Sequence, residues 1–448
     1  MHFFRAILQR LLQIAILAVF FLIPWYLRVY SDWLPTFMSG AYAITLPAYL
    51  SIGLWIILGA PGLLKALRDV RRWWIVPTAA LVVWARLSVT WSLYPASTLE
   101  VSQVFVTVGL FTLVMVCTGP SIRQIAIVLA MGIIFQGVIS VTQTASNHLL
   151  GIEVLGEHAA TPDNLGLSVI AAGNERLLRP YGLTNHPNML GGYFAVALLS
   201  LYGWLYSKLD RWRQAVRLSI GVFGLWCLCL SFSRGAWGAF VIGIIAILIT
   251  WLRAGTERPA RQRLAWVAVS GLCVVGLFGL TYHDFILTRT GISDEPSEYR
   301  SVSDRRMYTG ISLQAIYEYP VLGIGMGSFP WFSDAVLLAG PYGKYIRGDN
   351  VHNLPLLVFS ELGIIGFAIW LLAWCIGFGI VWHRVRDPFA IGLAAGVLVL
   401  LAAGMLDHYA YSLLHFALLL WGGMGVVLGN AMKSQPPSAN ELSVTTPQ

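Results

Sequence analysis

Long apolar runs separated by short polar breaks dominate this chain. Within the runs the apolar residues are continuous and do not alternate, which is the pattern of helices crossing a bilayer and argues against an outer-membrane barrel. Reading from one polar break to the next predicts twelve spans, at 11–28, 40–60, 73–92, 101–118, 124–144, 188–206, 216–232, 235–252, 264–282, 354–382, 388–406 and 411–429. Each is close to the roughly 20 apolar residues that a hydrocarbon core requires. The expected fold class is therefore an all-α polytopic membrane protein. One integral domain covers 1–433, and a polar tail, 434–448, is expected to be disordered. The first run lacks a small-residue cleavage site and leads into further spans, so it reads as a retained helix.

Charge orients these spans. With the N-terminus inside, the inside segments hold 18 of the 29 lysines and arginines, and every short inside turn carries at least one, as the positive-inside rule requires. Two outer segments, 145–187 and 283–353, are long, and they break the rule. They carry Arg176, Arg179, Arg289, Arg300, Arg305, Arg306, Lys344 and Arg347, while Arg234 sits at the outer end of the tight turn between the seventh and eighth spans. Positive charge on the side that topology normally keeps clear points to an anionic ligand there. The alternative is pairing with loop acids such as Asp284, Asp294, Glu295, Glu298 and Asp304.

Composition narrows the picture further. The chain is 57% hydrophobic and 11% charged, with mean hydropathy +0.71. Soluble domains are roughly 25% charged, so a soluble globular protein is excluded. The net charge of +8 is accounted for by membrane sidedness and calls for no nucleic-acid partner. The five cysteines lie inside apolar runs without ligand-like spacing to histidine, so neither a disulfide nor a metal site is expected.

Several polar groups at the outer ends could carry chemistry. His352 lies in Asp349-Asn350-Val351-His352-Asn353, where the tenth span begins. An imidazole at a membrane boundary can accept a proton near neutral pH, and an acidic neighbour would orient it; a hydrogen-bonded surface histidine is the plainer reading. Glu361 lies about two and a half turns deeper, where a carboxylate is costly unless paired. It reads as holding an arginine or a helix end in preference to moving protons. Arg234 lies in Ser231-Phe232-Ser233-Arg234-Gly235 at a helix start, where guanidinium and free backbone N–H groups together suit phosphate oxygens; snorkelling to headgroups is the alternative. The first outer segment ends in turn residues from Arg179 to Asn188, with Asn185 or Asn188 as the expected helix cap and Arg179 and His186 facing an outer vestibule. Residues 304–320 place Met307, Ile311, Leu313, Ile316 and Tyr317 as the apolar stripe of an amphipathic helix on the membrane surface. The Gly323-Ile324-Gly325-Met326-Gly327 run that follows has no strand before it, which excludes a dinucleotide loop. Flexible turns over a site are expected there.

These residues resemble a known family. His352-Asn353, nine residues, then Gly363-x-x-Gly366 is similar to the motif of bacterial O-antigen ligases, and Glu361 falls where their polymerase relatives also carry an acid. Ser233-Arg234-Gly235 is similar to the family's Ser-Arg-Gly turn. The stretch from Arg179 through Gly182 to Pro187-Asn188 resembles its Arg-x-x-Gly segment, with His186 where asparagine is usual. Arg305, an amphipathic stretch, Pro320 and Gly323-x-Gly325 resemble the large-loop pattern, although its tryptophan is matched only by Tyr308, which leaves Arg305 and Arg306 both open as the key arginine.

The resemblance implies an inverting, metal-independent glycosyltransferase without a cofactor, in the bacterial inner membrane with both termini cytoplasmic and its site periplasmic. The donor would be a glycan on undecaprenyl diphosphate. The acceptor would be lipid A-core for a ligase, or another lipid-linked glycan for a polymerase; the nine-residue spacer favours the ligase. On this reading His352 is the base, Arg234 and Arg305 bind the diphosphate with help from Arg179 or Arg306, and Asn353 and Glu361 support. A protein oligosaccharyltransferase is disfavoured because no soluble acceptor-binding domain follows the twelfth span. A transporter or lipid flippase would gather its binding groups near the midplane; here Arg86 and Glu361 are the main deep ionisable residues, and the basic groups lie at the outer end.

Overall fold

Inside a bilayer each backbone polar group must be satisfied within its own segment, which makes helices the form available to continuous apolar runs. The computed structural model describes residues 2–28, 42–164, 166–208, 210–254, 258–289, 296–340 and 347–431. The tail 434–448, Asp294, Glu295 and Lys344 lie outside the described residues. The helices are α1 (His2–Leu22), α2 (Thr45–Ile57), α3 (Leu63–Arg68), α4 (Arg72–Leu87), α5 (Pro95–Thr118) and α6 (Ile122–Ser146); then α7 (Pro187–Ser200), α8 (Tyr202–Tyr206), α9 (Arg211–Leu230), α10 (Arg234–Ala254), α11 (Arg258–Thr281) and α12 (His283–Arg289); and finally α13 (Pro296–Glu318), α14 (Phe329–Ala339), α15 (Leu354–Arg384), α16 (Pro388–Ala403), α17 (Tyr409–Ser412) and α18 (Leu414–Ala431). A single antiparallel hairpin of β1 (Val169–Ala172) and β2 (Glu175–Leu178) pairs Val169 with Leu178 in the first long outer segment.

The protein is an all-α polytopic membrane protein. Among the described residues ten helices are long and apolar enough to cross a bilayer, and the shorter apolar helices α2 and α16 fall on the other two predicted spans. α7 and α18 are almost wholly enclosed, whereas α10 and α11 bury little of their surface. Small residues make the central contact. Gly425 and Gly429 on α18 lie so close to α5 that added methyl groups would press on Met115 and its backbone. Such small-xxx-small contacts are how helices gain van der Waals packing where lipid gives no hydrophobic drive.

α13 packs one face against α15: its Tyr308, Ile311, Ser312 and Ala315 are buried, while Leu313 and Tyr317 of the expected apolar stripe are exposed. One sequence expectation is corrected here: the glycine run is not a flexible cover. Ile324 N and Gly325 N donate to Ser360 O and Glu361 O at 3.0 and 2.9 Å, and Ile364 N donates to Pro320 O at 2.9 Å. This lock needs a break in α15, and Gly363 supplies it with φ +64° and ψ −174°. The break frees the carbonyl of Leu362, which accepts a hydrogen bond from the Trp84 indole at 3.0 Å. Glu361 is buried at the same place; its carboxylate accepts from Phe329 N at the start of α14 (3.3 Å) and from the Tyr411 hydroxyl (3.2 Å). A Cβ at Gly363 would collide with the carbonyl of Val321 and also sit at a positive φ. Gly363→Ala is therefore expected to destabilise the protein by about 2 kcal/mol or more, read as a lowered melting temperature of the detergent-solubilised protein.

Candidate active site

His352 is placed by the residue that follows it. Asn353 caps α15, its Oδ1 accepting from Leu356 N at 3.0 Å, while its Nδ2 donates to Met405 O at 3.1 Å. Leu354 N donates to Gly404 O at 2.6 Å. The start of α15 is thus tied to the turn between α16 and α17, and that turn carries Asp407. His352 Nδ1 lies 3.7 Å from Asp407 Oδ1, close enough for charge pairing and just beyond a direct hydrogen bond. The His408 ring centroid is 5.2 Å from that of His352, and the Tyr308 ring stands edge-on at 6.4 Å.

Asp407 is itself held. Its Oδ2 accepts from Asn188 Nδ2 at 3.0 Å, and its Oδ1 accepts from His408 N at 2.8 Å. Asn188 Oδ1 in turn accepts from Arg179 Nη2 at 2.8 Å. Arg179 is buried and also donates to Ser231 O (2.9 Å) and Ser168 Oγ (2.7 Å). Contrary to expectation, Arg179 does not face a vestibule; it sits one layer behind and fixes Asn188. The cap of α7 is likewise His186, whose Nδ1 accepts from Asn188 N at 3.1 Å, and not an asparagine. Burial works against the ionised carboxyl of Asp407, but the neighbouring His352 and the charges of His408 and His186 outweigh it and hold its pKa well below the usual carboxylate range. Burial drives His186 the other way, down to about 3, with Arg179 adding to the effect.

Beside this pair lies a cavity of about 340 Å³ whose wall includes Asn188, Arg234, Arg289, Arg305 and Asp407. Arg234 is the first residue of α10. The Ser231-Phe232-Ser233 turn before it is tight, with Phe232 at φ +46°, and Ser233 Oγ accepts from Ala236 N at 3.3 Å. Arg234 donates to Arg289 O, and Arg289 Nε donates to Phe232 O at 3.3 Å, which clasps α12 to this turn. Arg305 reaches the cavity from α13. Arg306, one residue on, is exposed and is not part of the wall. Of the two arginines that the sequence left open, the phase of α13 brings Arg305 to the cavity wall.

Sequence reasoning missed Asp407, His408 and Asn188 as members of this site, and counted Arg289 only among the outer charges. The signal for the first two was present: the short outer break between the eleventh and twelfth apolar runs contains an acid followed by a histidine. Their nearness to His352 was not visible, because 55 residues separate the segments. The expectation of no metal-ligating group considered the cysteines alone. Ligand atoms of His352, Asp407 and His408 lie within 4.8 Å of one another, and this trio is of a type that holds divalent transition metals. His408 Nδ1 is already engaged with Ser412 Oγ at 2.7 Å.

Chemically, the arrangement can grip an anion with several guanidinium groups while an imidazole backed by a carboxylate waits beside it. Comparisons with known proteins bear on which anion. Residues 219–371, which include Arg234, Arg289, Arg305 and His352, match the family model described as O-antigen ligase. A protein of Pseudomonas aeruginosa described as an O-antigen ligase is 30% identical over 175 residues, which cover 38% of this chain and 37% of that protein. The chain thus spans little more than a third of the length of the curated relative that it matches.

Proposed function

We propose that this chain, whose residues 219–371 match the O-antigen ligase family, is a glycosyltransferase-type enzyme that moves a glycan from undecaprenyl diphosphate to an acceptor hydroxyl at the periplasmic face of the bacterial inner membrane. The acceptor in this reading is lipid A-core. The observation that carries it is the cavity where Arg234, Arg289 and Arg305 meet beside Asp407, whose carboxylate faces His352. Three guanidinium groups gathered in one wall suit a diphosphate better than a neutral sugar.

The route follows from those positions. The arginines hold the donor diphosphate and take up the charge that grows on it as the glycosidic C–O bond breaks. The acceptor oxygen attacks the anomeric carbon from the opposite face, which inverts it. His352 removes the hydroxyl proton through Nε2, because Nδ1 faces Asp407 and is best protonated there. Asp407 is a positioning residue: its nearby charge favours the tautomer that carries the proton on Nδ1. Arg179 acts through Asn188 on Asp407 and does not touch the donor.

Asp407→Asn is expected to lower kcat by about 100-fold or more, with KM for donor within about twofold, and Asp407→Glu to recover part of the loss. A purely structural carboxylate would instead change KM and protein yield together. The function itself is tested by incorporating the full-length protein in liposomes with a polyprenyl-diphosphate glycan and offering lipid A-core or no second acceptor. Glycan on the core supports the ligase. Elongation of the lipid-linked glycan without core would assign a polymerase of the same superfamily, and no new glycosidic bond in either case would refute the proposal.

A further inference from the structure

A second opening lies at the other end of the helices that build the site. α10 and α15 leave the site at Arg234 and Leu354 and end at Ala254 and Arg384, and α16 returns from Pro388 to Ala403. Near Arg253 and Arg386 these three helices line a groove of about 320 Å³ walled by Ile247, Phe378, Trp382, Ile391 and Leu398. Its only charged lining groups among the described residues are Arg253 and Arg386. The Arg253 guanidinium stacks on the Trp382 ring, with its Cζ 3.5 Å from the centroid. Arg386 donates to Val385 O at 2.9 Å and more weakly to Trp382 O and His383 O, both at 3.3 Å, and its side chain remains exposed. The nearby acid Asp387 is engaged in capping α16 through Phe389 N at 2.9 Å.

We propose that this groove binds a phospholipid with an anionic headgroup. An apolar slot between membrane-spanning helices accepts part of an acyl chain, and the volume suits a length of one chain and not a whole lipid. The two guanidinium groups stand where those helices reach the polar interface, in position to share a phosphate by charge-assisted hydrogen bonds. Trp382, half-exposed beside them, is the residue type that settles at headgroup level. A headgroup bearing an amine would set a positive charge against two arginines, whereas a glycerol headgroup leaves the lipid its net negative charge. The bound lipid bridges α10, α15 and α16, the elements whose opposite ends carry Arg234, His352 and Asp407.

The test uses the full-length protein, delipidated in a neutral detergent, with phosphatidylglycerol, phosphatidylcholine of the same acyl chains, and inorganic phosphate as separate probes. Retained lipid is counted by native mass spectrometry, and melting temperature is followed alongside. Phosphatidylglycerol is expected to bind about tenfold more tightly than phosphatidylcholine and to raise the melting temperature; phosphate alone should do neither. R253Q/R386Q should erase the preference, R253K/R386K should keep most of it, and Ala246→Phe, which fills the slot and spares both charges, should weaken both lipids. Equal binding of the two lipids, a preference that survives in R253Q/R386Q, or the full effect with inorganic phosphate would overturn the proposal. Should the glutamine variant fail to fold, the lysine and phenylalanine variants still decide it.

Discussion

Replacing His352 with alanine is expected to cut glycan transfer by about 10²–10⁴-fold, the range of a lost general base, while the protein folds and still retains donor. The reasoning rests on what the side chain touches. His352 is about a quarter exposed, and the folded state asks little of it: its Nδ1 has no hydrogen-bond partner among the described residues. The backbone around it is held instead by Asn353 and Leu354, which the substitution leaves intact. The measurement is product formation in liposomes together with donor binding to the same preparation. Wild-type turnover in H352A would end the base assignment. A chelator added to the wild-type assay separates the remaining use of the His352–Asp407–His408 trio. Unchanged turnover fits a proton-handling pair, and a loss restored by zinc assigns the trio to a metal.

Arg305→Gln should weaken donor binding by about 10- to 100-fold, the worth of one charge-assisted hydrogen bond to phosphate, and Arg306→Gln should change it by less than about twofold. The contrast between neighbours is the informative part. Both arginines lie on α13, but only Arg305 faces the cavity. Arg234→Gln is expected to weaken the donor to a similar degree and also to lower stability, because Arg234 holds the backbone of Arg289 at the end of α12. Titration with a non-transferable lipid diphosphate at several salt concentrations reads both effects. Equal losses in R305Q and R306Q would show that the arginines act as a diffuse field, and the cavity would then lose its assigned role.

Much of this protein was open to reading along one dimension. Apolar runs of bilayer length force helices, because lipid offers the backbone no partner, and each predicted span overlaps a helix of the structure, although α1 begins at His2, well before the predicted start at residue 11. The outer arginines and His352 were likewise conspicuous, since charge at that end goes against the topological norm. Which of them share a cavity was not. Arg179 and Arg305 carry the same charge on the same side, but one is buried behind Asn188 and the other opens onto the cavity. The glycines read as loose turns are the opposite, because Gly323 and Gly363 lie against each other's backbone. Asp407 meets His352 only because α16 returns the chain to the head of α15. Local pattern thus determined the helices and the end at which charge collects, since both depend on residue type and spacing alone. Helix phase, the break at Gly363 and the pairing of distant turns were decided by tertiary packing, because a side chain's partners depend on which faces meet, and no single run of sequence contains both faces.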